Sequence, residues 1–381
     1  FCFLFVLDMK LLFVLLVVLL ATSISARRGP RWTELSQDYT FEQYKRHFGK
    51  VYRAVNEHNE RKAIFEGRLH TILEHNSQES TWKMGVNHMT DWTAVELKSL
   101  LGYDKAVGQF QVKERARKAA EGLLNFPVLD DAPDSVDWRG KGVLTAVKDQ
   151  GQCGSCWSFA SAETIESAYA IATGQLSALS EQHILSCVAN PDHCGGTGGC
   201  DGGTAELAFA GLQSTGIASE WVYPYLSWYG NNSECKWTKL KGHAANWSGY
   251  NVLPSNDADS LMSAVANQPI AVSVDASTWH LYESGIYNGC NQQNPDINHA
   301  VQLVGYGTDE DTKQDYWVIR NSWTPDFGEE GFIRLLRNAK PPCGTDTTPL
   351  DGTACAGDDD PVTVCGTCGV LYDSSYVVVS N

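Results

Sequence analysis

Cysteine is missing from residues 3–152 of this 381-residue chain; Cys2 stands in the leader and the other eleven all follow residue 150. The first part therefore has no disulfides of its own and must be held by packing. Basic residues are also scarce: 29 Lys and Arg against 45 Asp and Glu leave a net charge of −16. That charge repels phosphate backbones and excludes nucleic acid as a natural partner. After the leader there is no second long hydrophobic run, so no membrane anchor is expected. What is present is ample core material: 43% hydrophobic residues with 12 Trp, 15 Tyr and 13 Phe. Wholesale disorder is excluded by this composition, and the length fits about two to three domain-sized units.

The charge is unevenly spread. Residues 1–131 carry 18 basic and 16 acidic side chains, and residues 132–381 carry 11 and 29, giving +2 and −18. Two pieces of opposite character, suited to lying against each other, are expected. Met9-Lys10 precedes the apolar run Leu11 to Leu20, and small residues follow at Ser23, Ser25 and Ala26. This is the pattern of a cleavable secretory signal, shorter than the ~20 apolar residues of a spanning helix. Met9 is the expected start, and residues 1–26 are read as leader.

An oxidising compartment turns cysteines into disulfides. Eleven is odd, so parity predicts five bridges and one unpaired thiol, to be suspected as reactive. Tyr39 to Asn76 is charged, helix-forming and free of proline, with Tyr44, Phe48 and Tyr52 at helical spacing. Glu57, Arg61, Phe65, Arg68, Ile72 and Asn76 follow at steps of three and four, one stripe of an amphipathic helix. Gly85 to Asp91 reads as a short extended or turning segment. Residues 104–131 hold the basic cluster Lys113, Arg115, Arg117 and Lys118 and read as an exposed linker. Residues 153–185 continue from a Gly/Cys turn into a helical pattern; residues 260–337 show short strands such as Ile270–Val274, Ala300–Val304 and Tyr316–Ile319. A helical half followed by a strand-rich half predicts two subdomains with a cleft between them.

Gln150-Gly151-Gln152-Cys153-Gly154-Ser155-Cys156-Trp157 opens the first helix of the acidic part. A cysteine at a helix N-terminus has its thiolate favoured by free N–H groups and the dipole. Cys156 is thus a candidate nucleophile; the competing reading is a Cys153/Cys156 redox pair. A nucleophilic thiol needs a base and a group to orient it. Asn298-His299-Ala300 enters a strand ending in Gly305-Tyr306-Gly307, and Asn321-Ser322-Trp323 follows another. His299 and Asn321 are the candidates.

On these motifs the chain resembles the papain and cathepsin cysteine peptidases. The Glu57–Asn76 ladder and Gly85, Asn87 and Asp91 are similar to the inhibitory propeptide of the cathepsin L-like branch. The resemblance implies an α+β, two-subdomain papain-like fold, helical first and antiparallel β-barrel-like second, preceded by a helical propeptide. It implies Cys156 as nucleophile, His299 as its proton partner, Asn321 as orienter with Trp323 shielding it, and Gln150 as the oxyanion-hole side chain beside the Cys156 N–H. A tetrahedral oxyanion needs fixed donors, and a glutamine donates without adding charge. His299 as imidazolium would keep Cys156 ionised and then protonate the leaving amine.

The resemblance also implies the pairs Cys153–Cys200, Cys187–Cys235 and Cys290–Cys368. Cys194, Cys343, Cys355 and Cys365 are left without assigned partners, a zinc site at Cys343, Cys355, Cys365 and Cys368 being the rival reading. Gly202 and Gly203 would pair with an extended peptide. The neighbouring side-chain pocket would be lined by Thr204, Ala205, Ser273, Ile297, Asn298 and Ala300. Counting on from Cys368 puts Asp373 at its floor, which implies acceptance of Arg or Lys as well as Leu or Phe. Asn298 in place of Asp, Thr324 to Phe327 in place of a Gly/Trp-rich turn, Arg68 in place of Asn, and the long segment 338–367 depart from the family pattern. That segment reads as a disulfide-tied surface loop. Asn231 and Asn246 lie in glycosylation sequons.

The expected protein is an acid-activated zymogen: leader 1–26, inhibitory propeptide 27–131, peptidase 132–381. No cofactor and no metal are expected. Expected partners are protein and peptide substrates and the chain's own propeptide; the expected state is a monomer, in a lysosome, vacuole or the extracellular space. A thiol-dependent transferase and an inactive binding protein are the other classes. The first would usually use Asp as third member, and the second would usually lack one of the four catalytic-type residues.

Overall fold

The computed structural model describes residues 29–102, 132–189, 198–237, 243–347 and 361–380. The leader, the 104–131 linker, Cys194, Cys355 and Asp358-Asp359-Asp360 lie outside the described residues.

The N-terminal part is two helices on a short strand. Helix α1 (Phe41–Phe48) starts at a capping box, in which Thr40 and Gln43 each satisfy the other's backbone N–H. Gly49, at φ 65°, ends it in the left-handed region. Tyr52 therefore lies beyond the helix rather than on its stripe; its ring stacks on Phe41, centroids 6.0 Å apart. Helix α2 (Val55–Ser77) buries Phe65, Leu69 and Ile72 against Phe41, Tyr44 and Phe48.

Three members of the α2 stripe grip the segment that follows. Arg61 pairs with Glu96, Arg68 donates to the Met89 carbonyl at 2.8 Å, and Asn76 both donates to and accepts from the Met84 backbone. That segment forms β1 (Trp82–Met84) and the short α3 (Ala94–Lys98).

Beyond residue 131 come β2 (Val136–Asp137), helices α4 (Cys156–Thr173), α5 (Glu181–Cys187) and α6 (Ala205–Leu212), then β3 (Gly249–Val252) and α7 (Ala258–Asn267). Strands β4 (Ile270–Val274), β5 (Tyr282–Tyr287), β6 (His299–Thr308), β7 (Asp315–Arg320), β8 (Phe332–Leu336), β9 (Cys343–Asp346), β10 (Val362–Cys365) and β11 (Asp373–Val378) complete it. The main sheet runs β1-β5-β8-β7-β6-β4-β11-β3, with β2 on β6. All pairs are antiparallel except β5 with β8. β1 adds to the sheet edge through Trp82 opposite Gly285, so the N-terminal part is joined to the rest by backbone pairing.

Two cores meet at a seam. One is built by the sheet, around Trp279, Tyr282, Leu303 and Ile319; the other by α4, α5 and α6, around Trp157, Ile165, Ile184 and Phe209. Helix α4 is buried on nearly every side and carries only Glu163 and Glu166 as charges, as a central helix must. It packs on β6. The first residue of α4 is Cys156 and the first of β6 is His299, so this packing brings the two to one end of the seam.

Candidate active site

Cys156 is fully buried and is the free cysteine among the described residues. The turn before it is locked by the Cys153–Cys200 disulfide and by the Gly154 N–H donating to the Cys200 carbonyl at 3.1 Å. The Ala300 N–H points at the Cys156 Sγ from 3.4 Å, tying the helix start to the strand start. One position earlier, His299 Nε2 lies 2.8 Å from Asn321 Oδ1. Because that oxygen accepts, Nε2 carries the proton, and Nδ1 is left with no hydrogen bond in the buried site. Trp323 lies against the ring, centroids 4.8 Å apart, with Trp279 edge-on at 6.3 Å. Phe327 packs edge-on to Trp323, so the unusual Thr324–Phe327 turn still supports the indole.

Gln150 is aimed by its neighbours. The Ser322 hydroxyl donates to Oε1 at 2.7 Å, which turns the Gln150 Nε2 toward the carbonyls of Cys153 at 2.8 Å and Leu100 at 2.9 Å. Leu100 belongs to the N-terminal part. Two residues on, the Gly102 carbonyl accepts from the Gly203 N–H at 3.0 Å. The segment Leu100–Gly102 thus lies across the cleft and holds both donors, the glutamine amide and the glycine backbone.

Strand register aligns the predicted pocket residues. Asp373 on β11 is opposite Ser273 on β4, which is opposite Ala300 on β6. Residues opposed across strands share a sheet face. The Ser273 hydroxyl donates to Asp373 Oδ2 at 3.3 Å. Cys368, the residue from which Asp373 was counted, is bonded to Cys290. Ile297 is buried, and Asn298 is fixed by the Ala276 N–H, the Ser277 hydroxyl and Asp296. Thr204 caps α6 by accepting from the Leu207 N–H, with Ala205 next to it and Gly202 at φ 116° before it. Cys187 is bonded to Cys235, and Cys343 to Cys365. Among the described residues no cluster of His, Cys, Asp or Glu could hold a metal ion. Asn231 and Asn246 are both exposed.

A thiol beside an imidazole whose other nitrogen an amide holds, with a fixed amide donor next to it, is the equipment for attack on a carbonyl. Comparison with known proteins agrees. Residues 132–353 match the papain family cysteine protease description and residues 41–97 the cathepsin propeptide inhibitor domain. The chain belongs to the papain family of cysteine proteases. Vignain of Phaseolus vulgaris is 37% identical over 302 residues, 78% of this chain and 79% of vignain. Cathepsin S of Bos taurus is 35% identical, over 82% of this chain and 91% of the relative. Among solved structures, a recombinant stem bromelain precursor superposes with a TM-score of 0.71 at 32% identity, covering 90% of this chain and 98% of its own. Digestive procathepsin L 3 of the Tenebrio molitor larval midgut gives 0.69 at 30%, covering 92% and 100%.

This papain-family protease is made as a zymogen, and the covered cleft changes its electrostatics. Burial pushes the Cys156 thiol up to about 11, against weaker help from the Ala300 and Gly102 backbone. Burial likewise pushes His299 down to about 4, against the pull of Asn321 and of the Leu100 backbone. In the covered cleft burial therefore disfavours the charged form of both groups. Ser322, although it stands within Asn321-Ser322-Trp323, is not marked by the sequence as a site residue, and neither are Leu100 and Gly102. No local pattern marks those two; only the docked N-terminal part brings them to the cleft.

Proposed function

We propose that the chain is a cysteine endopeptidase in which Cys156, His299, Asn321 and Gln150 perform the chemistry. The observation that carries this is the Gln150 amide, held by Ser322, donating at 2.9 Å to a backbone carbonyl beside the buried thiol. With the cleft open, the Cys156 proton passes to His299 Nδ1 and the thiolate attacks the scissile carbonyl carbon. The developing oxyanion accepts from Gln150 Nε2 and the Cys156 N–H. His299 Nδ1–H then protonates the leaving amine, which leaves a thioester. Water adds to that thioester while His299 takes its proton, and breakdown of the adduct frees the carboxylic acid and restores the thiol. Asn321 keeps the proton on Nε2 throughout.

The extents proposed are leader 1–26, propeptide 27–131 and peptidase 132–381, with processing between Gly102 and Ala132. Gly202 and Gly203 pair with the substrate backbone. Thr204, Ala205, Ser273, Ile297, Asn298, Ala300 and Trp323 bound the subsites, and Asp373 lets the second one take Arg or Lys beside Leu or Phe. Acid is the trigger. His299 sits below its ordinary 6.5 while covered, so closure is favoured above about 6.5 and lost as pH falls from there toward 4. His280, whose carbonyl accepts from Asn87 of the propeptide, is also pushed down to about 4, by burial and by Arg68, and acts in the same sense. An acidic lumen, lysosomal, vacuolar or extracellular, and glycans on Asn231 and Asn246 fit this chemistry.

The test is hydrolysis of two fluorogenic peptides, with Leu or Arg second from the scissile bond, by acid-processed protein, Cys156→Ala and Asp373→Asn. Loss of all turnover in Cys156→Ala and a selective loss of the Arg substrate in Asp373→Asn are expected. Arg turnover unchanged by Asp373→Asn between pH 4 and 7 refutes the subsite assignment; activity surviving in Cys156→Ala refutes the nucleophile.

A further inference from the structure

The described ends of the segment 338–367 do more than tie a surface loop. Its two ends form the hairpin β9–β10, with Val364 opposite Gly344 and Cys365 opposite Cys343, closed by the Cys343–Cys365 bridge. Val364 is buried, and it clusters with Ile297 and Tyr372. Gly369 completes the contact: a Cβ there would lie 2.6 Å from Val364 Cγ1 and would overlap the Ile297 side chain. The hairpin and Ile297 thus share one buried cluster closed over Gly369, and a packed interior passes on a change in side-chain size.

The hairpin also grips the loop that leads to Ile297 and His299. The Thr345 N–H donates to the Gln293 carbonyl at 3.0 Å, and the Thr347 N–H donates to Asn294 Oδ1 at 2.9 Å. On its other side the Cys365 N–H donates to Asn256 Oδ1 at 2.9 Å, and Asn256 Nδ2 donates to the Thr363 carbonyl at 3.1 Å. Anchored on both sides, the hairpin cannot retreat from Ile297.

We propose that hairpin β9–β10 is the supporting wall of the second substrate subsite, and that Val364 is a positioning residue which sets, through Ile297, the size of side chain that subsite accepts. The ligand concerned is the residue second from the scissile bond of a peptide substrate, and the inference rests on the assignment of Ile297 to that subsite. A smaller residue at 364 lets Ile297 fall back and enlarges the pocket; a larger one advances it. The reacting groups are untouched, so the effect enters KM.

The full chain is expressed with Val364→Ala, Val364→Ile or Ile297→Ala, processed in acid and titrated with an irreversible thiol inhibitor. It is then assayed on peptides with Val, Leu or Phe at the second position. Val364→Ala should raise the Phe/Val ratio of kcat/KM by about three- to tenfold and Val364→Ile should lower it. These are smaller than the ~10–200-fold that one methylene directly in a pocket is worth. In both variants kcat should stay within about twofold, the barrier of the chemical step being unaltered. Equal change on all three peptides, or no change in either variant while Ile297→Ala does alter the ratio, overturns the hairpin's role alone. No change with Ile297→Ala overturns the subsite assignment and this inference with it. If Val364→Ala fails to mature, Val364→Ile decides by the sign of its shift.

Discussion

Latency is expected to depend on one glycine of the covering segment, Gly102. A Cβ at position 102 would lie 2.7 Å from Gly154 Cα and nearer still to the Gly154 carbonyl, against an ordinary carbon contact of about 3.5–4.0 Å. Neither partner can turn aside, because the obstacle is backbone and Gly154 is held by the adjacent Cys153–Cys200 bridge. In Gly102→Ala the segment must therefore shift by more than about 1 Å, because the Gly154 carbonyl falls further short of that contact distance than its Cα does. Such a shift breaks the bond from the Gly203 N–H to the Gly102 carbonyl and that from Gln150 Nε2 to the Leu100 carbonyl. At about 0.5–1.5 kcal/mol net for each bond, closure weakens by about 1–3 kcal/mol, or about 5- to 150-fold in the open fraction. The assay is the rate at which an irreversible thiol reagent captures Cys156 in unprocessed protein at pH 7.5. Gly67→Ala is the control, since its Cβ meets nothing within 4 Å and latency should persist. After processing, Gly102→Ala and wild type should have the same kcat/KM. Capture of unprocessed Gly102→Ala within twofold of wild type would refute the reasoning.

Three further outcomes are expected. With Cys156 up at about 11 and His299 down at about 4, alkylation of the unprocessed thiol should be slow from pH 5 to 8 and rise only toward pH 11, whereas the processed enzyme should react readily near pH 6; equal rates at pH 6 contradict the neutral pair. Burial raises Glu163 to about 7 and Glu220 to about 8, above their ordinary 4.5. Their contribution is whole below about 4.5 and is lost as pH climbs through 7 and 8, so the Tm of full-length Cys156→Ala should fall from pH 6.5 to 9, and a flat or rising Tm contradicts this. Gln150→Ala should lower kcat by about 10²- to 10³-fold with KM little changed, and Ser322→Ala should act in the same direction more weakly; an unchanged kcat in Gln150→Ala removes it from the oxyanion site.

The residues proposed to carry the chemistry were legible because each sits at a boundary that sequence marks. Cys156 follows a Gly/Cys turn at a helix start, His299 opens an alternating apolar strand, and Asn321 ends another. The α2 ladder was legible as a stripe, since helical period shows in any window of sufficient length. Where the stripe stopped was less visible: Gly49 ends α1 in the left-handed region, and Tyr52 leaves the face its spacing suggested.

By itself, then, the sequence determined the helical propeptide, a thiol with two candidate partners, and the split between a helical and a strand-rich half. Periodicity, capping and turn chemistry act over a few residues and are written locally. Only the tertiary structure decided that Leu100 and Gly102 occupy the donors of the cleft. It also decided that burial beneath them disfavours the charged forms of Cys156 and His299, that Ser322 aims Gln150, and that Cys343 bonds Cys365 while Val364 clusters with Ile297. These contacts join residues tens to hundreds of positions apart. A hydrogen bond, a packed wall and a desolvated charge depend on distance in space, which no local spacing encodes.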